Sequence, residues 1–166
     1  QYFFASASLQ DILRRYEATC GCDFTLLPRA VSIQLNDTHP VIAIPELIRL
    51  LINHPAAEIV FAHSESNAGN LVSDIHGGLY GECDLCFSAE YDLGAIDVLF
   101  LCSAHGASAK FMAENEVPAE LKIVDLAQDF RDEHDGFVYG LPEMQREKIA
   151  NATRIANPGC FATAIQ

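Results

Sequence analysis

Three short, almost unbroken apolar runs constrain this chain more than anything else in it: EIVFAH (58–63), IDVLFLC (96–102) and LKIVDL (121–126). Runs of this kind suit strands covered on both faces, as in a parallel sheet. A further β-prone run, AVSIQL (30–35), precedes PELIRLLINH (45–54), in which Leu47, Leu50 and Leu51 fall on one helical face. AHGASAKFMAEN (104–115) reads as a helix behind a glycine turn, and TRIAN (153–157) leads into a cysteine-bearing turn. Near the start, Leu9, Ile12, Leu13 and Tyr16 keep helical spacing, which predicts an amphipathic helix over residues 2–18. The alternation of strand and helix predicts an α/β doubly wound parallel sheet. Ligands of such sheets gather at the carboxyl ends of the strands, where SESNAG (64–69), CSAHGAS (102–108) and DLAQDFR (125–131) lie.

Composition excludes more than it selects. The 166 residues suit one core, and with half of them hydrophobic and a fifth charged the chain is globular. A formal charge of −13 argues against nucleic acid and against an anionic membrane surface, both of which need a basic patch. No apolar run reaches the length of a membrane span. The chain starts without Met, and its N-terminus reads as cut. Of the six cysteines, CGC (20–22) and CDLC (83–86) lack the turns that surround zinc ligands, so no metal site is expected. Unpaired thiols in a reducing cytoplasm are the favoured reading.

Cys160 opens a predicted helix directly behind Asn157, Pro158 and Gly159. Proline sets the approach and glycine allows a tight turn, while free amides and the helix dipole would stabilise a thiolate, the form that attacks an acyl carbon. The bland alternative is a small apolar residue packed at a helix start. A single cysteine without a visible base does not choose between them.

Several words add context: ELIRLLINHP, SNAG, GLYGECDL, DVLFLCSAHG, KIVDLAQDFR, YGLPE and NPGCFATAIQ occur in this order from about Glu46 to Gln166. That region resembles the N-acetyl-gamma-glutamyl-phosphate reductases, NADPH-dependent enzymes of arginine biosynthesis. The resemblance implies a Rossmann-like domain binding NADP, a small acyl phosphate as substrate, and a cytoplasmic enzyme; it leaves a homo-oligomer open. Carried over by position, Cys160 matches the nucleophile that forms a thioester. Ser64, Ser66 and Asn67 match the region near the adenosine ribose and its phosphate. Ser103, His105 and Gly106 match the turn on the nicotinamide side. Asp125, Arg131, Asn157 and the YGLPE segment match the floor of the active site, with Arg131 and Asn157 on the substrate. Each has a structural alternative: His105 as a cap of the following helix, Arg131 as a surface charge, Gly140 and Pro142 as turn formers.

The start of the chain departs from that family. Where a glycine-rich phosphate turn belongs, the sequence reads VSIQLNDTHPVIAIPELIR (31–49), with no glycine between Asp23 and Gly69. Prolines 40 and 45 offer no amide donors, and Val41, Ile42 and Ile44 fill space, so dinucleotide binding at this turn is expected to be badly weakened. Residues 1–49 instead resemble a segment of the glycogen and maltodextrin phosphorylases, carried by QLNDTHP and AIPEL. In that family the stretch matching Asn36, Asp37, Thr38 and His39 lies close to the sugar site. The lysine that carries pyridoxal phosphate has no counterpart, so that cofactor is not expected. The chain therefore reads as a chimera of residues 1–49 and 46–166 forming one unit, with VSIQL as the central strand. No histidine follows His134, and the reductases' acid–base histidine lies beyond the cysteine, so little activity is expected. Alternatives are a sugar-phosphate-binding fragment and a non-catalytic chimera.

Overall fold

The computed structural model describes residues 30–35, 43–55 and 57–165. The helix expected over residues 2–18, the cysteines at 20 and 22, and most of the turn between VSIQL and ELIRLL (residues 36–42) lie outside them.

Among the described residues, seven strands form one sheet: β1 (Ala30–Leu35), β2 (Glu58–His63), β3 (Phe87–Ser88), β4 (Val98–Cys102), β5 (Lys122–Asp125), β6 (Val138–Tyr139) and β7 (Arg154–Ala156). Their spatial order is β3-β2-β1-β4-β5-β7-β6, and every adjacent pair is parallel. The helices are α1 (Ala43–Ile52), α2 (Val72–Ile75), α3 (Ala107–Glu114), α4 (Pro142–Ala150) and α5 (Cys160–Ala164). This is the expected doubly wound architecture. VSIQL holds the centre, with Val31 opposite Ile59 on one side and Val98 on the other. Because the chain runs outward from β1 in one direction and then from β4 in the other, strand order reverses between those two. Crevices at such reversals are where α/β sheets bind ligands.

The two-residue period of a strand explains how β4 is covered on both faces. Phe100 and Cys102 join a cluster with Ile44, Leu47, Ile48 and Leu51 of α1. Leu99 and Leu101 face the other way, into a cluster with Phe111, Ile123 and Phe130. Leu47 and Ile48 are fully buried, and burying each stabilises the fold by roughly 1.5–3 kcal/mol. β2 departs from the expectation of two covered faces. Only its last two residues, Ala62 and His63, are buried, and Val60 is 42% exposed. The reason is pairing: β3 reaches only Ala62 and His63, leaving the earlier half of β2 at the sheet edge.

Candidate active site

Four loops lie at the carboxyl ends of β2, β4, β5 and β7. After β7, Asn157 turns the chain. Its amide donates to the Asp125 carbonyl at 2.8 Å, and its own carbonyl accepts from Arg131 Nε at 2.9 Å. Arg131 is half-buried rather than a surface charge, and no other bond to its guanidinium occurs among the described residues. Pro158 is buried, Gly159 occupies the N-cap and Cys160 opens α5 with its side chain exposed. Gly159 needs explanation, because its φ of −65° suits any residue. A Cβ there would stand 3.2 Å from Arg131 Nη1. The turn itself does not need glycine, a correction to the expectation from sequence; what glycine provides is room beside the guanidinium, which a flexible arginine can also yield.

YGLPE packs under this turn. The amide of Gly140 donates to the Ala156 carbonyl at 2.8 Å, and a Cβ on Gly140 would lie 2.8 Å from Ile155 Cγ2 and 3.1 Å from Ala156 O. Only glycine permits that approach. Pro142 begins α4, where its missing amide costs nothing.

Asp125 closes β5 and is wholly buried. Its Oδ1 accepts from Ser108 Oγ at 2.6 Å and from Ala127 N at 3.1 Å, whereas Oδ2 has no partner among the described residues. Burial pushes this carboxyl above the ordinary carboxylate range, with the two hydrogen bonds and Arg131 opposing the rise and Asp129 adding to it. Ser108 Oγ also bonds Ser103 Oγ at 2.8 Å, which ties the end of β4 to Asp125. Burial likewise pushes the Cys102 thiol far up, helped by Asp125, so this cysteine is inert beside exposed Cys160.

His105 does not cap α3. Its Nδ1 accepts from Gln128 N at 3.3 Å. The cap comes from Asp129, whose two oxygens lie 2.8 and 2.9 Å from Gly106 N and whose Oδ2 accepts from Ala109 N at 3.1 Å. Gly106 adopts φ +85°, a left-handed conformation natural to glycine. Sequence reasoning missed Asp129. The glycine at the N-cap shows that α3 needs a cap from elsewhere, but nothing in the local sequence says that Asp129 supplies it.

At the end of β2, Ser64 is buried, and its Oγ accepts from Asn67 N and Asn67 Nδ2, both at 3.2 Å. Asn67 Nδ2 also donates to Ser66 Oγ at 3.1 Å. These three residues form one cluster of hydroxyl and amide groups, separate from the turn at Cys160. Ser103, His105 and Gly106 are brought beside the Asp125–Arg131 loop, and Arg131 beside Asn157 and Gly159, the residues that lead into Cys160. Among the described residues no set of three or more His, Cys, Asp or Glu side chains could hold a metal, no base is hydrogen-bonded to Cys160, and no helix is long and apolar enough to cross a membrane.

Residues 45–152 match the family described as semialdehyde dehydrogenase, NAD binding domain. Residues 1–67 match carbohydrate phosphorylase, which covers less than half of the chain. Similar proteins include the N-acetyl-gamma-glutamyl-phosphate reductase of Parabacteroides distasonis, 60% identical over 124 residues, covering 73% of this chain and 38% of that protein. The protein of the same name from Azobacteroides pseudotrichonymphae is 63% identical over 123 residues, covering 73% and 39%. The chain thus spans well under half the length of the curated relatives it matches. Among solved structures, aspartate semialdehyde dehydrogenase II from Vibrio cholerae superposes with a TM-score of 0.59 at 23% identity, covering 82% of this chain and 39% of that one. At that identity the likeness concerns the fold alone.

Proposed function

From the premise that this chain belongs to the semialdehyde dehydrogenase NAD-binding-domain family, we propose that it is the nucleotide-binding portion of an N-acetyl-gamma-glutamyl-phosphate reductase. In this reading it carries the nucleophile of a cytoplasmic arginine-biosynthesis enzyme. The observation that carries the reading is the guanidinium of Arg131 held against the turn of Asn157, Gly159 and Cys160. A cation fixed on the turn that leads into an exposed thiol suits attack on an acyl phosphate. Arginine steadies the phosphate and the charge that develops on it. Cys160 Sγ attacks the acyl carbon, the bond from carbon to the phosphate oxygen breaks, and inorganic phosphate leaves behind a thioester.

Ser64, Ser66 and Asn67 offer hydroxyl and amide donors suited to the ribose and phosphate of NADP, and the turn of Ser103, His105 and Gly106 borders its nicotinamide end. NADPH, when bound, supplies the hydride that turns the thioester into the semialdehyde. This chain's own part is to hold the acyl group at Cys160 and to orient it with Arg131 and Asn157.

Residues 1–49 are read as a phosphorylase-derived segment, supported by the match to carbohydrate phosphorylase. The bulky, proline-bearing stretch THPVIAIP then removes amides that would meet the pyrophosphate, and losing two or more charge-assisted bonds costs roughly 1.5–3 kcal/mol each. NADPH affinity is accordingly weaker than low micromolar, and turnover by this chain alone is little or none.

Two measurements test this. Acetyl phosphate should leave a hydroxylamine-labile acetyl group on Cys160, seen by peptide mass spectrometry and absent from C160S. Labelling of Cys86 to the same extent as Cys160 would overturn the assignment of the nucleophile. Calorimetric titration with NADPH should give weak binding, and tight binding would overturn the impaired nucleotide turn. Glucose 1-phosphate serves as the comparison ligand: binding of it without NADPH would favour the phosphorylase-type reading.

A further inference from the structure

We propose that Asp129 is a positioning residue, locking the turn before α3 to the loop that carries Arg131 so that the two halves of the site behave as one body. Gly106 at the N-cap brings no side chain, so the first amides of α3 need an acceptor from elsewhere. Asp129 supplies it from the following βα loop, with both oxygens on Gly106 N and Oδ2 on Ala109 N. The carboxylate also sits at the positive end of the helix dipole, where it is stabilising. Two further bonds join the same segments, Ser108 Oγ to Asp125 Oδ1 and Gln128 N to His105 Nδ1.

The same loop reaches the other half of the site. Asp125 accepts from Asn157 N through its carbonyl, and Arg131 donates to Asn157 O. The stretch from Asp125 to Arg131 therefore bonds the turn and first residues of α3 through Asp125, Gln128 and Asp129, and the turn before Cys160 through Asp125 and Arg131. Asp129 is its only carboxylate on the α3 side besides the buried Asp125, and it makes the shortest contacts to that turn's backbone. Its role is to hold the spacing between Ser103–Gly106 and Cys160. The functional meaning of that spacing rests on the nucleotide and thioester reading above, but the coupling itself does not.

The test measures amide hydrogen exchange and Cys160 alkylation by iodoacetamide in the chain as it stands, neither of which requires NADPH or an acyl phosphate. D129A should raise exchange about tenfold at residues 106–109, as loss of a charge-assisted bond implies. It should also raise exchange at residues 157–161 and change the alkylation rate of Cys160 severalfold. D129N, which keeps the shape and one acceptor oxygen, should recover part of both effects. If exchange rises only at 106–109 while Cys160 reacts at its original rate, Asp129 is a local cap and the proposal fails. Should D129A lose its native circular dichroism, D129N decides alone: a partial rise at both segments supports the coupling, and a rise confined to the first overturns it.

Discussion

Arg131 Nε donates to the carbonyl of Asn157, 26 residues further on, at 2.9 Å, and so ties the loop after β5 to the turn that presents Cys160. A half-buried, charge-assisted bond to a carbonyl stabilises by roughly 1.5–3 kcal/mol. R131M should therefore lower stability in urea by about 1–2 kcal/mol, in line with loss of such a bond. R131K should recover little of this, because lysine is a point charge without the planar fork. Full recovery by R131K would mean that charge alone matters.

The two glycines beside that bond should respond differently. In G140A the new methyl meets Ile155 Cγ2 at 2.8 Å and the backbone oxygen of Ala156 at 3.1 Å, and neither yields easily. A loss of about 1–3 kcal/mol is expected from such overpacking. In G159A the nearest atom is Arg131 Nη1, at the end of a flexible side chain, and the backbone conformation is ordinary. Its stability should change by less than about 1 kcal/mol, the usual bound for a tolerated swap. Urea melts of both variants provide the check, and equal losses would contradict the geometry.

Asp125 makes stability depend on pH. Its carboxyl is raised by burial, so the folded chain holds its proton at pH values where the unfolded chain has lost it. This contribution is fully present below the ordinary carboxylate range and is lost as pH rises toward the raised value. D125N keeps an acceptor for Ser108 and Ala127 and puts an uncharged amide where Oδ2 has no partner among the described residues. Relative to the parent, D125N should gain about 1–3 kcal/mol at neutral pH, the scale of an uncompensated buried polar group. The gain should shrink in acid. Urea unfolding at pH 4.5 and 7.5 would reveal an absent or reversed trend.

His134 gives a second pH dependence at the surface. Its Nδ1 bonds Asp132 Oδ1 at 2.5 Å and its Nε2 lies 3.6 Å from Asp135 Oδ2. The Asp132 bond raises the imidazole and lowers the carboxyl. The imidazolium's contribution is therefore present below the ordinary histidine value and lost as pH rises through the raised one. The Asp132 contribution is present above the ordinary carboxylate range and lost as pH falls through the lowered value. Both act only in the interval between. An NMR titration of the ring should place His134 above an ordinary histidine, and D132N should bring it down; an unshifted ring in the parent would refute the pairing.

Much of the sheet was legible because its signals are local. The apolar runs at β2, β4 and β5 and the spacing of Leu47, Leu50 and Leu51 each mark an element without reference to the rest. α4 was missed because PEMQREKIA is polar on nearly every face and buries only Pro142 and Ile149. Its one sequence sign was proline followed by Glu143 in the first turn. β3 and β6 have two residues each, too few for a period to register. At the candidate site, the roles of Cys160 and Arg131 come from the resemblance alone. Asp129 could not, because a cap supplied from the next βα loop leaves no trace in local spacing. Gly159 was noticed for the wrong reason, since its role depends on a guanidinium that only the fold brings near.

The central place of β1 has a kinetic consequence. β4 and β5 are joined by a single helical crossover through α3, Val98 opposite Lys122, whereas β1 must bring Val31 to Val98 across the whole of β2 and its excursion. Loop closure makes the longer pairing the slower one. The β4–α3–β5 unit is therefore expected to form before β1 pairs with β4, which leaves an edge waiting at Leu99 and Leu101. Until it does, that edge is a bare template for other chains. Yield on refolding should consequently fall with protein concentration, and escape from aggregation depends on the arrival of β1.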